Sequence, residues 1–289
     1  MSALWNCCPI GRISAAHADR DVTMVGSETP WPNECMRYDM RSLLCADRPE
    51  NNSQPNDALP RHAQGLMRSY AAQPAKAFDW EPVFSIAPRT KAPVVREHLD
   101  DEGQLQRTVE FARWGFRPAW AKEKGPRPIN ARFETAPSNG MFRAAFASSR
   151  AVVPMSGYYE WVETDDGKQP YYVHATDEKL LHAAGLTAAE QNADGDWDVT
   201  FTIITREARD AAGDVHDRMP AFLEEDLMAE WLAPGKFEMG EREQLHGALG
   251  GVSEQIAATL VTHPVDRRVN NVRTVDRRDE GLIAPLILG

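Results

Sequence analysis

Four short segments of this 289-residue chain bring together residue types that move protons or hold anions. Tyr158-Tyr159-Glu160-Trp161-Val162 sets one carboxylate among aromatic side chains. On a strand, desolvation by such neighbours raises a carboxyl pKa and poises the group as a general acid or base. The same glutamate turned to the solvent side of an alternating strand is an ordinary surface charge. His216-Asp217-Arg218-Met219-Pro220 reads as a polar loop closed by proline. A histidine there either shuttles protons near neutral pH or is a structural or exposed residue. Asn130-Ala131-Arg132-Phe133-Glu134-Thr135 gathers an amide, a guanidinium and a carboxylate. Arg132 can engage phosphate with two hydrogen bonds, or the cluster can cap and salt-bridge a helix start. Trp114 and Trp120 bracket Gly115, Phe116, Arg117 and Pro118. Stacking faces beside positive charge suit single-stranded nucleic acid, at about 1–3 kcal/mol per stacked base; core packing is the other fate of a tryptophan.

The elements that must position these groups read as mainly β. Strand-type runs recur at Val83–Ile86, Val94-Val95, Thr108–Trp114, Ala151–Val153, Tyr158–Val162, Tyr171–Val173, Val199–Thr205 and Ala258–His263, with Pro and Gly punctuation between them. Asp165-Asp166-Gly167-Lys168 reads as a hairpin turn. Helices are expected around Ser138–Ser148, Glu224–Leu232 and Glu241–Leu249. Residues 1–34 lack periodicity and read as an extension outside the core; the polar stretch Arg48–Arg61 reads as a loop. The expectation is one mixed α+β domain over 35–289, built on a curled, mainly antiparallel β-sheet or barrel with a few flanking helices.

Composition narrows the function classes. No run approaches the roughly 18 apolar residues of a membrane span, and no basic segment followed by an apolar stretch opens the chain. A cytoplasmic location follows as the expectation, with no membrane partner. All four cysteines, Cys7, Cys8, Cys35 and Cys45, lie in the first 45 residues, which argues against a disulfide framework. Cys7 and Cys8 are adjacent rather than spaced as zinc ligands, so no metal and no cofactor are expected. The net charge of −11 counts against indiscriminate nucleic-acid binding. Between Arg113 and Arg150, however, eight basic residues stand against two acidic ones. That window is either a solvated basic face or a local track for phosphate.

Six segments, in one order, resemble the SRAP (SOS response-associated peptidase) family. They are Ser85-Ile86-Ala87-Pro88; Arg113-Trp114-Gly115 with Pro118 and Trp120; Ile129-Asn130-Ala131-Arg132 with Glu134-Thr135; Gly157-Tyr158-Tyr159-Glu160-Trp161; His216-Asp217-Arg218-Met219-Pro220; and Val269-Asn270-Asn271-Val272. The resemblance implies an SRAP-type domain that senses abasic sites in single-stranded DNA as a monomer, within the nucleoid if the source is bacterial. It implies a cysteine at a free N-terminus whose thiol and α-amine close a thiazolidine on the opened sugar, and autopeptidase activity from the same residue. By match, Glu160 promotes ring opening and imine formation, His216 assists proton transfer and crosslink reversal, and Asn130 holds the opened sugar. Arg37, Pro88, Trp114, Arg132, Thr205 and Arg218 fall at the DNA-binding positions.

The family's Met-Cys-Gly-Arg-(Phe/Tyr) start is similar to Cys35-Met36-Arg37-Tyr38, with Met36 in place of glycine and Glu34 in place of the initiator. Cys7 or Cys8, ahead of Gly11-Arg12, is a second candidate that requires an insertion before Ser85. Cys35 has a free α-amine only if residues 1–34 are removed. Proteolytic maturation, an altered N-terminal segment and loss of covalent activity are the three explanations. Three functions are therefore carried forward: covalent abasic-site processing, non-covalent single-stranded DNA binding, and peptide cleavage by Cys35 with His216 and Glu160 as base and orienting acid.

Overall fold

A computed structural model of the chain describes residues 37–39, 61–75, 80–121 and 124–286. The four cysteines and most of the expected Arg48–Arg61 loop lie outside the described residues. In chain order the strands are β1 (Arg37–Asp39), β2 (Gln73–Pro74), β3 (Lys91–Leu99), β4 (Leu105–Trp114), β5 (Asn130–Arg132), β6 (Arg150–Met155), β7 (Gly157–Thr164), β8 (Gly167–Ala175), β9 (Leu181–Gln191), β10 (Trp197–Glu207), β11 (Arg218–Pro220), β12 (Phe222–Leu223) and β13 (Leu260–Pro264). The helices are α1 (Arg61–Tyr70), α2 (Arg143–Ser148), α3 (Asp210–Gly213), α4 (Glu225–Leu232) and α5 (Met239–Ala257).

Strands β4, β3, β6, β9 and β10 close into a barrel. Successive members pair antiparallel, and β10 returns to β4 in parallel. The sequence shows why β6 is central: all six of its residues are buried, so it lacks the in-out alternation of a half-exposed strand. Its hairpin neighbours carry turn chemistry. Asp100 Oδ1 accepts the Gln104 and Glu102 amides between β3 and β4, and Asn192 Oδ1 accepts those of Asp194 and Asp196 between β9 and β10. A second sheet, in the order β1-β7-β8-β13, is antiparallel throughout. The fold is α+β, with a curled, mainly antiparallel barrel as expected.

Arg150 closes the barrel's outer layer. Buried at the start of β6, its guanidinium donates to the carbonyls of Phe146, Trp231 and Ala233 at 2.9, 2.7 and 2.6 Å, capping the ends of α2 and α4. Burial pulls its pKa down to about 10. One charge of the basic Arg113–Arg150 window is thus structural, and Arg117 is paired with Glu190.

Several elements differ from the sequence reading. Val83–Ile86 is an irregular strap with a single bridge at Ile86, because Pro82 and Pro88 flank it. Phe84 bonds elsewhere: its amide donates to the Arg277 carbonyl at 2.8 Å and its carbonyl accepts the Tyr159 hydroxyl at 2.6 Å. β9 escapes periodicity because Ala183, Ala184 and Gly185 interrupt its β-branched character. Arg61, placed in a loop, opens α1.

Candidate active site

Strand β7 carries the central carboxylate. Its first residue, Gly157, sits where the Tyr172 ring presses on the backbone: a Cβ there would come within 2.5 Å of both that ring and the Val173 carbonyl. Only glycine permits this approach. β7 is buried on both faces in its first half, so Tyr158 and Glu160 point one way and Tyr159 the other. Tyr158 packs into the main core, while Tyr159 packs with Phe84 and Tyr172. The Glu160 side chain is 2% exposed, and neither carboxylate oxygen has a hydrogen-bond partner among the described residues. Burial pushes the carboxyl well above its ordinary value, and the negative charge of Asp217 adds to the rise. Of the two sequence alternatives for Glu160, the buried one holds.

His216 approaches from the loop between α3 and β11. Its Nδ1 lies 4.0 Å from Glu160 Oε2 and 3.3 Å from Asp217 Oδ1. The Arg218 amide donates to Nδ1 at 3.0 Å, and the Arg218 carbonyl lies 3.2 Å from the same atom. One nitrogen serves these two in different protonation states: it accepts from the amide as the Nε2–H tautomer and donates to the carbonyl when protonated. The nitrogen nearest Glu160 is therefore one that the backbone accommodates with or without its proton. Asp217, which the sequence reading passed over, contributes charge to Glu160; its place inside the His-Asp-Arg-Met-Pro segment was the available signal.

The end of β10 gathers the anion-binding candidates. Thr205 pairs with Arg132 of β5 on one side and Pro220 of β11 on the other. Asn130 is half-buried, with Oδ1 lacking a partner among the described residues. The Arg132 side chain is exposed. Arg218 is committed: it forms a two-pronged pair with Glu134 at 2.7 and 3.1 Å and also donates to the Thr205 carbonyl. In the Asn130–Thr135 cluster Arg132 is thus exposed, while the salt bridge made by Glu134 ties β11 to the turn after β5 and not to a helix start. Pro88 is half-buried at the surface.

Two DNA-binding candidates are placed differently from expectation. Trp114 is fully buried, stacked on Phe201 at 6.2 Å, with its indole N–H donated to the Ile129 carbonyl at 2.8 Å. No face of it is open to a base; core packing took it because β4 turns alternate residues into the barrel. Trp120 is the exposed one, at 66%. Thr205 is also buried, so it supports β5 and β11 from behind. The backbone of Arg37 pairs with Tyr159 in β1, beside Glu160, whereas Cys35 lies outside the described residues. Among the described residues no cluster suits a metal ion, and no helix is long and apolar enough to cross a membrane.

Comparison with known proteins places this geometry. The abasic site processing protein YedK of Escherichia coli K12 is 32% identical over 200 residues, covering 68% of this chain and 83% of that protein. The abasic site processing protein HMCES of Xenopus tropicalis is 28% identical over 222 residues, covering 67% of this chain and 64% of its own. A solved structure from Bacteroides thetaiotaomicron shares the fold, with a TM-score of 0.59 at 20% identity over 78% of this chain and 96% of that one. The model of the family described as SOS response associated peptidase matches residues 51–272, a span that contains Asn130, Arg132, Glu160, His216 and Arg218. The chain belongs to the SOS response associated peptidase (SRAP) family.

Proposed function

We propose that this protein recognises abasic sites in single-stranded DNA and processes them with Glu160 and His216 as the proton-transfer pair. The observation that carries this reading is Glu160, a buried carboxyl with neither oxygen bonded among the described residues and 4.0 Å from a histidine nitrogen. A buried carboxyl without partners and with a raised pKa is a candidate for use by a ligand or a reaction. The relatives named as abasic site processing proteins support the choice of substrate.

An abasic sugar is a cyclic hemiacetal. Opening it breaks the C1′–O4′ bond, delivers a proton to O4′ and removes one from the C1′ hydroxyl. Glu160, whose burial makes it hold its proton to higher pH than an ordinary carboxyl, supplies the first. His216 takes the second. The Asn130 carbonyl oxygen, without a partner among the described residues, accepts a sugar hydroxyl, and exposed Arg132 meets the adjacent phosphate. Cys35 stands two residues ahead of β1, which pairs with the Glu160 strand. Its thiol attacks the Glu34 carbonyl, the Glu34–Cys35 C–N bond breaks as the nitrogen takes a proton and becomes the free α-amine, and water then hydrolyses the thioester, releasing residues 1–34 and the thiol. Thiol and amine then close a thiazolidine on the aldehyde with loss of one water. No metal enters the scheme. A non-covalent binder is the second reading, favoured by one fact: the family match spans the proton-transfer and anion-binding groups but begins after Cys35.

Intact-mass spectrometry of the full chain, before and after incubation with an oligonucleotide bearing one abasic site, tests both. Loss of residues 1–34 followed by gain of the oligonucleotide mass less one water supports the covalent scheme. An uncleaved chain that shifts the abasic oligonucleotide in a gel without an adduct supports the binder. Failure to bind single-stranded DNA, abasic or intact, contradicts both.

A further inference from the structure

The outer face of the β3–β4 hairpin carries a cationic cleft that the reading above does not use. In the β3–β4 register Lys91 lies opposite Arg113 and Pro93 opposite Phe111, so Lys91, Arg113 and Phe111 share one face. Farther along the same face Pro93, Val95 and Val109 are buried and Phe111 packs against the core, so the face is exposed at its Lys91–Arg113 end. The Trp80–Ile86 strap and the Arg277–Arg278 turn wall it in, leaving a cleft of about 270 Å³. The Phe84 amide bonded to the Arg277 carbonyl joins the two walls. Arg278 is paired with Glu81 at 2.7 Å. Lys91, Arg113 and Arg277 are exposed and have no acidic partner within 4 Å among the described residues. A protein of net charge −11 thus concentrates uncompensated positive charge beside an aromatic side chain.

The turn leading into β3 adds a fourth cation. Ala87-Pro88-Arg89-Thr90 closes with the Thr90 amide and hydroxyl both donating to the Ala87 carbonyl. Arg89 takes φ +73°, a left-handed conformation that non-glycine residues rarely adopt. Its side chain lies across Gly115, where a Cβ would meet Arg89 Cδ at 3.3 Å. The Arg113 guanidinium donates to the Arg89 carbonyl at 2.9 Å, so the two are tied together.

Register also fixes the cleft's place relative to the active site. Arg113 lies beside Thr200 of β10, whereas Asn130 and Arg132 lie beside Ile203 and Thr205. At about 3.3 Å per residue, this puts the cationic face roughly 10 to 17 Å along the same strand. Pro88, at the surface, stands between the strap that lines the cleft and β3.

We infer that this cleft is a second contact for the DNA strand, in which Lys91 and Arg277, with Arg113 and Arg89 beside the cleft, hold phosphates flanking the abasic residue and Phe111 packs against a sugar or base. Phosphate contact and an aromatic face are the two requirements of single-strand binding. Arg277 lies beyond the family-matched span, which ends at residue 272, whereas Lys91, Arg89 and Arg113 lie inside it. The inference rests on the proposed binding of single-stranded DNA.

The test compares full-length wild type with the Lys91→Ala/Arg277→Ala double variant, on fluorescent abasic oligonucleotides long enough to fill only the active site or to run past it. Wild type is expected to bind the long strand more tightly. The variant should match it on the short strand, lose the gain on the long one, and show a salt slope shallower by about 0.7 for each cation removed. Equal length gain and equal slope in both proteins overturn the second contact while leaving the active site standing. Failure of wild type to bind either strand overturns the inference together with the function on which it rests. Free nucleotide competing only with wild type would assign the cleft to mononucleotides, and that also overturns it.

Discussion

Two histidines in this fold meet a buried acidic group, and the fold treats them in opposite ways. On the barrel's flank, the Tyr70 hydroxyl of α1 meets His182 Nδ1 of β9 at 2.5 Å, with the rings edge to face at 5.4 Å. In the candidate active site Glu160 stands 4.0 Å from His216, with neither oxygen bonded among the described residues. The first pair is satisfied and sealed: burial pushes the Tyr70 phenol well up and pulls His182 down to about 4, so both stay neutral. The second leaves the cost of burying a polar group uncompensated. Only the second has chemistry to gain from that cost, because an unsatisfied acid keeps its proton and its bonding capacity for a substrate.

Substitutions can break this comparison, and the largest effect is expected at Glu160. Glu160→Gln keeps the shape and removes the acid, so sugar opening should slow by about 10²-fold or more while strand affinity changes little. Rates of processing and fluorescence anisotropy on the same oligonucleotide read the two quantities separately. An equal loss in both would reassign Glu160 to binding. At the sealed pair the response should be reversed. Tyr70→Phe leaves His182 without its partner and should cost about 1–3 kcal/mol in denaturant unfolding, with processing unchanged at a temperature where the protein is folded.

The pH dependence of stability sharpens the contrast, because the signs differ. His182 has its folded pKa lowered, so the unfolded chain takes up a proton first as pH falls. Its stabilising contribution is present above about 6.5 and is lost on the way down to about 4. Glu160 has its folded pKa raised, so the unfolded chain releases a proton first as pH rises above the ordinary value of 4.5. Its cost therefore grows with pH until the folded pKa is passed. Glu160→Gln should be stabilising at neutral pH, by an amount that increases up to about 1.4 kcal/mol per pH unit within that window. Thermal melts from pH 4 to 8 would show the gain; a gain that shrinks with rising pH would contradict it. The smallest effect is expected from Arg218→Lys, which loses the two-pronged pair with half-exposed Glu134 and should cost about 1 kcal/mol or less.

The sequence singled out Glu160 and His216 and left the sealed pair invisible. Glu160 and His216 sit in compact segments whose neighbours announce their chemistry. Tyr70 and His182 lie 112 positions apart, one on a helix without a clear start signal and the other on an alanine-rich strand, and only the fold brings them together. Trp114 shows a related limit. Its setting beside Arg113 and Gly115 suited a stacking platform, but which face of β4 turns inward depends on the barrel's closure with β10. The strap at Val83–Ile86 has strand composition and no neighbouring strand to pair with for more than one residue. Composition also read a basic window from Arg113 to Arg150 as one unit, whereas the fold divides it: Arg150 is buried in a cage of carbonyls and Arg113 faces solvent beside Lys91.

The central claim is that Glu160 is a neutral acid in the resting protein. Difference infrared spectroscopy of wild type against Glu160→Gln at neutral pH tests it most directly. The account predicts the carbonyl stretch of one protonated carboxyl group in wild type, absent from the variant. A carboxylate pair of bands assigned to Glu160 under the same conditions would contradict it.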